Sequence, residues 1–272
     1  PGYEGLFGSR PAFDIVAEAM SGVMDLVGFA DKPPSTTIYG LADVHSGMVT
    51  AYGIMLALFM RERTGVGQYV DSSMLDNMIA LNERMVMLYS ITGEEPQRGQ
   101  PRHLYPRTAF KCSDGYLALN VPDDLIWQRL CQAMGRENLI NDPRSADGTA
   151  RAANTDFLNP IIEDWLAGQT RAEAEEILNA HGVPAGPVYT AADVFNSPQV
   201  EARNMLVTVD DPEVGPYQFA RTPPLLSSTP EIKTEPAPRL GEHTRQILSE
   251  LLGYETAEID RLQDEKVIET FS

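Results

Sequence analysis

Asp43 stands in the stretch TIYGLADVHSGMVTAYGIMLALFMRERTGVGQ, just ahead of a run that stays apolar until Arg61. Two readings of its carboxylate are open. Asp is a favoured N-cap residue, where its oxygens accept hydrogen bonds from the first-turn N–H groups of a helix. The same helix start favours an ionised carboxylate, and the small residues around it, GLA before and HSG after, let a ligand approach closely. A carboxylate so placed serves as a general base or as a covalent nucleophile. The histidines, His45, His103, His181 and His243, fall at no metal-ligand spacing, and no CxxC occurs, so no metal site is expected. No GxSxG elbow, Walker loop or GxGxxG is present, and TGVGQ reads as a tight turn between a helix and a strand.

These residues need elements to hold them. Phe13 to Val27 has apolar residues at helical spacing, a pattern that places Phe13 in the core. Pro33 and Pro34 make the next segment a loop. The helix opened by Asp43 runs to about Arg63 and is apolar on nearly every face, which predicts a buried helix. QYVDSSM alternates like a short strand, and Leu75 to Tyr89 reads as one further helix. Residues 92–107, TGEEPQRGQPRHLYPR, are irregular and gather Arg98, Arg102, His103 and Arg107. A hairpin is expected around Ser113, Asp114 and Gly115. Helices follow over Ile126–Met134, Phe157–Ala167 and Ala172–Ala180. Thr170 and Glu173 stand at capping-box spacing, and Gly182 acts as a stop. No regular element is expected in VPAGPVY before Ala191. A second hairpin (VTVDDPEVGPYQFA), a proline-rich extended stretch from Pro223 to Pro238, and helices over Glu242–Leu252 and Ala257–Leu262 complete the chain.

The 272 residues suit one large domain or two small ones, and their mixed helices and strands imply α/β or α+β. A net charge of -18 argues against nucleic acid as a partner, because phosphate binding needs a basic surface. The apolar run Gly47 to Met60 is shorter than the about 20 residues that span a bilayer, so no membrane segment is expected. Two cysteines, Cys112 and Cys131, indicate no disulfide framework and point to a reducing cytoplasm.

The run GLADVHSGMVTAYGIMLALFMRERTGVGQYVDSSMLDNM resembles the central motif of the family III CoA-transferases, the CaiB/BaiF family. Four more stretches resemble that family in the same order: RPAFDIVAEAMSGVMDLVG, RGQPRHLYPRTAFKCSDGYLALNV, HGVPAGPVYTAADVFNSPQVEARNM and APRLGEHTRQILSELLGY. The resemblance implies an α/β fold with a Rossmann-like large domain and a smaller α+β domain. It places residues 1–91 in the large, CoA-binding domain, 92–186 in the small domain and 187–272 in a return to the large domain with C-terminal helices. Family members are longer, and the start of the large domain is expected to be missing here.

For function, the resemblance implies that Asp43 attacks a donor acyl-CoA, possibly succinyl-CoA, and passes through an anhydride and an aspartyl-CoA thioester before a carboxylic acid acceptor takes the CoA. It implies CoA contacts at Arg10, Pro11, Ala12, Phe13 and Asp14, with Arg10 meeting a phosphate. It implies a substrate or oxyanion loop at Gly99, Gln100, Arg102 and His103, where this chain keeps a single glycine of a loop that is glycine-rich in some members. CoA enters as substrate, with no permanently bound cofactor, and the expected assembly is a homodimer whose chains interlock in longer relatives. The cluster Arg98, Arg102 and Arg107 points toward a dicarboxylate. Two other readings accompany this one. An α-methylacyl-CoA racemase on the same fold needs a histidine ahead of the aspartate, and none precedes His45. A chain with an incomplete CoA site would be an inactive fragment or an interaction subunit.

Overall fold

The computed structural model describes residues 10–98, 105–230 and 234–271. The chain divides into two compact units between Pro187 and Val188. The mixed helix-and-strand class expected from the sequence holds.

The first unit opens with helices. α1 (Asp14–Met20) and α2 (Val23–Leu26) stand where one helix was expected. Gly22 breaks it with a φ of +79°, a left-handed conformation that glycine adopts without a Cβ penalty. α3 (Leu41–Thr64) is the long helix, and α4 (Met74–Leu81) and α5 (Glu83–Thr92) divide at Asn82. The segment before α4 forms no strand. Ser73 instead caps α4, accepting the Asp76 N–H at 3.1 Å. α1, α3 and α4 pack on one another, with Ala17, Ala42 and Met78 buried between them.

Most of α3 is not covered. Val44, Met48, Tyr52, Met55 and Phe59 are each more than half exposed and recur at three- and four-residue spacing along one side. The expectation of a buried helix is therefore corrected. The helix has 24 residues, and its most apolar 18-residue window has a mean hydropathy of 1.3 with 11% buried, enough in length and composition to cross a membrane. The run Gly47 to Met60 understated it because Leu41, Ala42 and Val44 extend the apolar surface toward the N-terminus.

The rest of this unit is a three-stranded antiparallel sheet backed by helices. β1 (Arg107–Cys112), β2 (Gly115–Asn120) and β3 (Ala185–Pro187) lie in that order. Period-2 alternation sends Phe110, Cys112, Leu117 and Leu119 to one face. α6 (Asp124–Ala133), α7 (Gly148–Ala153), α8 (Thr155–Ala167) and α9 (Arg171–Ala180) follow β2. α8 meets the sheet core through Leu158, Ile162 and Leu166, one residue every four. α9 carries the expected capping box between Thr170 and Glu173. β3 lies where no element was expected: Leu119 pairs with Ala185, and the Pro184 carbonyl accepts the Asn120 N–H at 3.1 Å. Pro187 suits an edge strand, which need not donate along its outer side.

Arg151 is the buried polar centre of this part. Its Nε donates to the Tyr105 carbonyl at 3.0 Å, Nη1 to the Ser145 carbonyl at 3.2 Å and Nη2 to Asp124 at 2.8 Å, while its guanidinium lies 5.3 Å from the Trp127 ring.

The second unit holds α10 (Ala191–Phe195), α11 (Pro198–Ala202) and the hairpin of β4 (Leu206–Asp211) with β5 (Gly215–Ala220). The expected helix over 242–252 is α12 (Thr244–Gln246) continuing into a π-helical turn, Ile247–Leu251. α13 (Thr256–Asp264) follows, tied to α12 by an Arg245–Asp260 ion pair at 2.8 Å.

Candidate active site

Asp43 is the third residue of α3, not its cap. The N-cap is Gly40, with φ at +80°. That left-handed backbone turns the chain into the helix and offers no side chain to accept from the first-turn amides. The acceptor comes from α1. Asp14 Oδ2 accepts the Gly40 N–H at 3.2 Å, and Oδ1 accepts the Ala42 N–H at 2.6 Å. The Leu41 N–H goes to the Ile38 carbonyl at 3.3 Å, and the Val44 N–H returns to Gly40 at 2.9 Å.

One turn further along α1, Glu18 is fully buried. Its Oε2 accepts the Thr37 N–H at 3.0 Å, and its Oε1 accepts the Thr37 hydroxyl at 2.7 Å. A carboxylate taken from water must be hydrogen-bonded, and Glu18 meets this by holding the loop that leads into α3. Asp14 and Glu18, four residues apart, share a helix face and fix residues 37–42 at two points. The Asp43 side chain emerges beyond them, exposed, with no hydrogen bond or ion pair among the described residues. Its own N–H likewise finds no acceptor among them. Three residues on, Ser46 carries a buried Oγ with no hydrogen-bond partner among the described residues.

The other expected site residues separate into three places. Arg10, Pro11 and Ala12 line an apolar cavity of ≈160 Å³ with Ala17 and Met20 of α1 and Met74 of α4. Phe13, expected in the core, is 79% exposed. It is the N-cap residue of α1 and lies outside the helical repeat that suggested its burial. Asp14 commits its carboxylate to α3, so the segment 10–14 joins the cavity to the turn that carries Asp43. Gly99, Gln100, Arg102 and His103 lie outside the described residues. Arg98 lies just before them, with Nη2 3.9 Å from Asp25 and a buried Nη1 that has no hydrogen-bond partner among the described residues. Arg107 begins β1, exposed and opposite Asn120. No group of three or more potential metal ligands gathers among the described residues.

Sequence reasoning missed Asp14 as a support and Glu18 altogether. Their signal was two acids one turn apart in an otherwise apolar helix, DIVAEAM.

This site lies in a chain that matches the profile of CoA-transferase family III over residues 2–244. It is 37% identical over 244 residues to a succinyl-CoA:mesaconate CoA-transferase of Haloarcula hispanica, a match covering 89% of this chain and 61% of that protein. Over 270 residues it is 32% identical to a succinyl-CoA–D-citramalate CoA-transferase of Chloroflexus aurantiacus, covering 98% and 67%. Among solved structures, it superposes on a CAIB/BAIF family protein from Brucella suis with a TM-score of 0.78 and 33% identity, covering 92% of this chain and 65% of that one. The chain thus spans about two thirds or less of the length of these relatives.

Proposed function

We propose that this chain, which belongs to CoA-transferase family III, carries the nucleophile of an enzyme that moves coenzyme A from an acyl-CoA to a carboxylic acid. The observation that carries the reading is the Asp43 carboxylate, held at the start of α3 yet exposed and without a hydrogen-bond partner among the described residues.

The chemistry balances without a cofactor. An Asp43 oxygen attacks the donor thioester carbonyl, the carbon–sulfur bond breaks, and CoA leaves as thiolate with a mixed anhydride behind it. The thiolate then attacks the Asp43 side-chain carbonyl carbon and releases the donor acid as carboxylate. The acceptor carboxylate repeats the two steps in reverse and departs as the new thioester. One thioester is exchanged for another, so no ATP is consumed, and division into covalent steps lowers each barrier. Every tetrahedral intermediate carries an oxyanion that needs a fixed donor. The open Asp43 N–H and the segment of Gly99 and Gln100 are the groups we assign to it.

For CoA, we assign the segment 10–13, since the Asp14 carboxylate is committed to α3. Arg10 supplies a cation for a phosphate, and the apolar cavity beside Pro11 and Ala12 suits the uncharged part of the ligand. For the acceptor, we favour a dicarboxylate. Arg98, Arg102 and Arg107 give positive charge beside an acidic chain, and two relatives are named for mesaconate and citramalate, both dicarboxylates. Succinyl-CoA, named as donor in both, is the donor we favour.

We place the enzyme in the cytoplasm as a homodimer. Two buried free thiols fit a reducing compartment. We assign the exposed apolar stripe of α3 to protein contact rather than lipid, because the turn that begins the helix is tied to α1 and presents Asp43. The test is a transfer assay on the whole protein with succinyl-CoA and mesaconate, citramalate or malate. A new thioester formed at the expense of succinyl-CoA supports the assignment; hydrolysis alone, or no reaction with any donor tried, contradicts it.

A further inference from the structure

In two helices of this molecule an acid at the third position turns back on its own N-cap, whereas Asp25 of α2, Asp76 of α4 and Glu258 of α13 hold that position without closing a capping box. Glu173 of α9 accepts the Thr170 N–H at 2.8 Å, and Asp193 of α10 accepts the Thr190 N–H at 2.8 Å, each completing a capping box. Asp43 holds the same third position in α3, yet neither half of the box forms. Gly40 has no side chain to take the Asp43 N–H. Its own N–H, which an Asp43 carboxylate would otherwise accept, is already bonded to Asp14.

We infer that Asp14 is a positioning residue for Asp43: by capping α3 from another helix, it pre-empts the capping box and leaves the Asp43 carboxylate open to attack substrate. Glu18 supports this by fixing Thr37, three residues ahead of Gly40, so that the loop presents the Gly40 and Ala42 amides to Asp14. The inference rests on the reading of Asp43 as nucleophile, but its structural half stands apart from activity. An acid at N3 loses reactivity when it caps, because the lone pairs that accept amide N–H groups are the ones that attack a carbonyl.

The experiment compares Asp14→Ala, Asp14→Asn and Asp14→Glu in the whole protein, following single-turnover acylation of Asp43 by succinyl-CoA and amide hydrogen exchange at Ala42. Asn keeps one of the two acceptor oxygens and turns the other into an N–H donor, so it cannot hold both the Gly40 and the Ala42 N–H. Glu keeps both acceptors and the charge and moves the oxygens by a methylene. We expect Asp14→Ala to slow acylation at least about 10-fold with the KM for succinyl-CoA within about 2-fold, the pattern for a lost reacting-state geometry rather than lost ligand binding. Asp14→Asn should be slowed as well, and Asp14→Glu should be faster than Asp14→Ala. Wild-type acylation in Asp14→Ala or in Asp14→Asn would overturn the inference. If Asp14→Ala does not fold, Asp14→Asn still decides. If the wild-type protein acylates no Asp43, the nucleophile reading has failed on its own. Exchange at Ala42 then tests the cap: faster exchange in Asp14→Ala than in the wild type upholds it, and equal exchange in the two overturns it.

Discussion

At Asp43 the question is which groups compete for two carboxylate oxygens. The sequence placed an acid at the mouth of an apolar helix and left its use open between a cap and chemistry as general base or nucleophile. In the structure the capping role falls to Gly40 and Asp14 between them. Nothing in the sequence around Asp43 shows this, because Asp14 lies 28 residues from Ala42 and meets it only in the fold. Asp43→Ala should therefore separate catalysis from stability. We expect at least about a 10³-fold loss of CoA transfer, as befits a covalent nucleophile, with folding free energy within about 0.5 kcal/mol of wild type, as for an exposed side chain without partners. Enzyme assay and thermal melts check the two halves. The cysteines give the opposite case, residues present but withheld. Cys112 and Cys131 are buried, and burial pushes both thiols up, that of Cys131 to about 12. The thiolate is the reactive form, so iodoacetamide at pH 8 should leave both unmodified in the folded protein and label both after unfolding.

Helices and strands were legible where one pattern dominated. The hairpin of β1 and β2, the α9 capping box and the 24-residue α3 follow from alternation, cap residues and apolar spacing. What the patterns hid depends on single backbone positions or distant partners. Gly22 and Asn82 interrupt helices whose apolar spacing runs on without a break. β3 is a strand only because the β2 edge receives it, and three residues are too few to show an alternation. The burial of α3 was misread because a helix apolar all round says that something covers it, not that this chain does. Gly40 carries the element-scale prediction. A β-branched residue is costly at φ +80°, so Gly40→Val should destabilise the protein by at least about 1 kcal/mol. It should also lower transfer activity, since the same turn aims the amides at Asp14. Denaturant melts and steady-state kinetics read both effects, and a neutral Gly40→Val would show that the turn is not needed.

At the scale of the molecule, the charge of -18 makes the response to acid informative. Arg144 holds the Asp142 carboxylate at about 2, first through its side-chain bonds and then through its backbone N–H. The folded pKa lies below the ordinary value of about 3.9. The stabilisation is therefore fully present above about pH 4 and is lost as pH falls through about 2. Asp114, Glu173 and Asp211 are shifted in the same direction by backbone N–H groups. Asp142→Asn should flatten the acid limb of the stability curve between about pH 4 and pH 2, as measured by thermal melts across that range. An unchanged limb would mean that the pair persists in the unfolded chain or contributes nothing.

The family and the mixed fold were both present in the order of motifs along the chain, while the brace that Asp14 supplies to the start of α3 required the fold. As a nucleophile, Asp43 must form a covalent bond to acyl groups delivered by CoA. The most direct test is to incubate the whole protein with succinyl-CoA, trap with hydroxylamine and map the peptides by mass spectrometry. We expect a hydroxamate on Asp43 that depends on acyl-CoA and is absent in Asp43→Ala. Protein that binds CoA but yields no adduct on Asp43 with any acyl-CoA would contradict it.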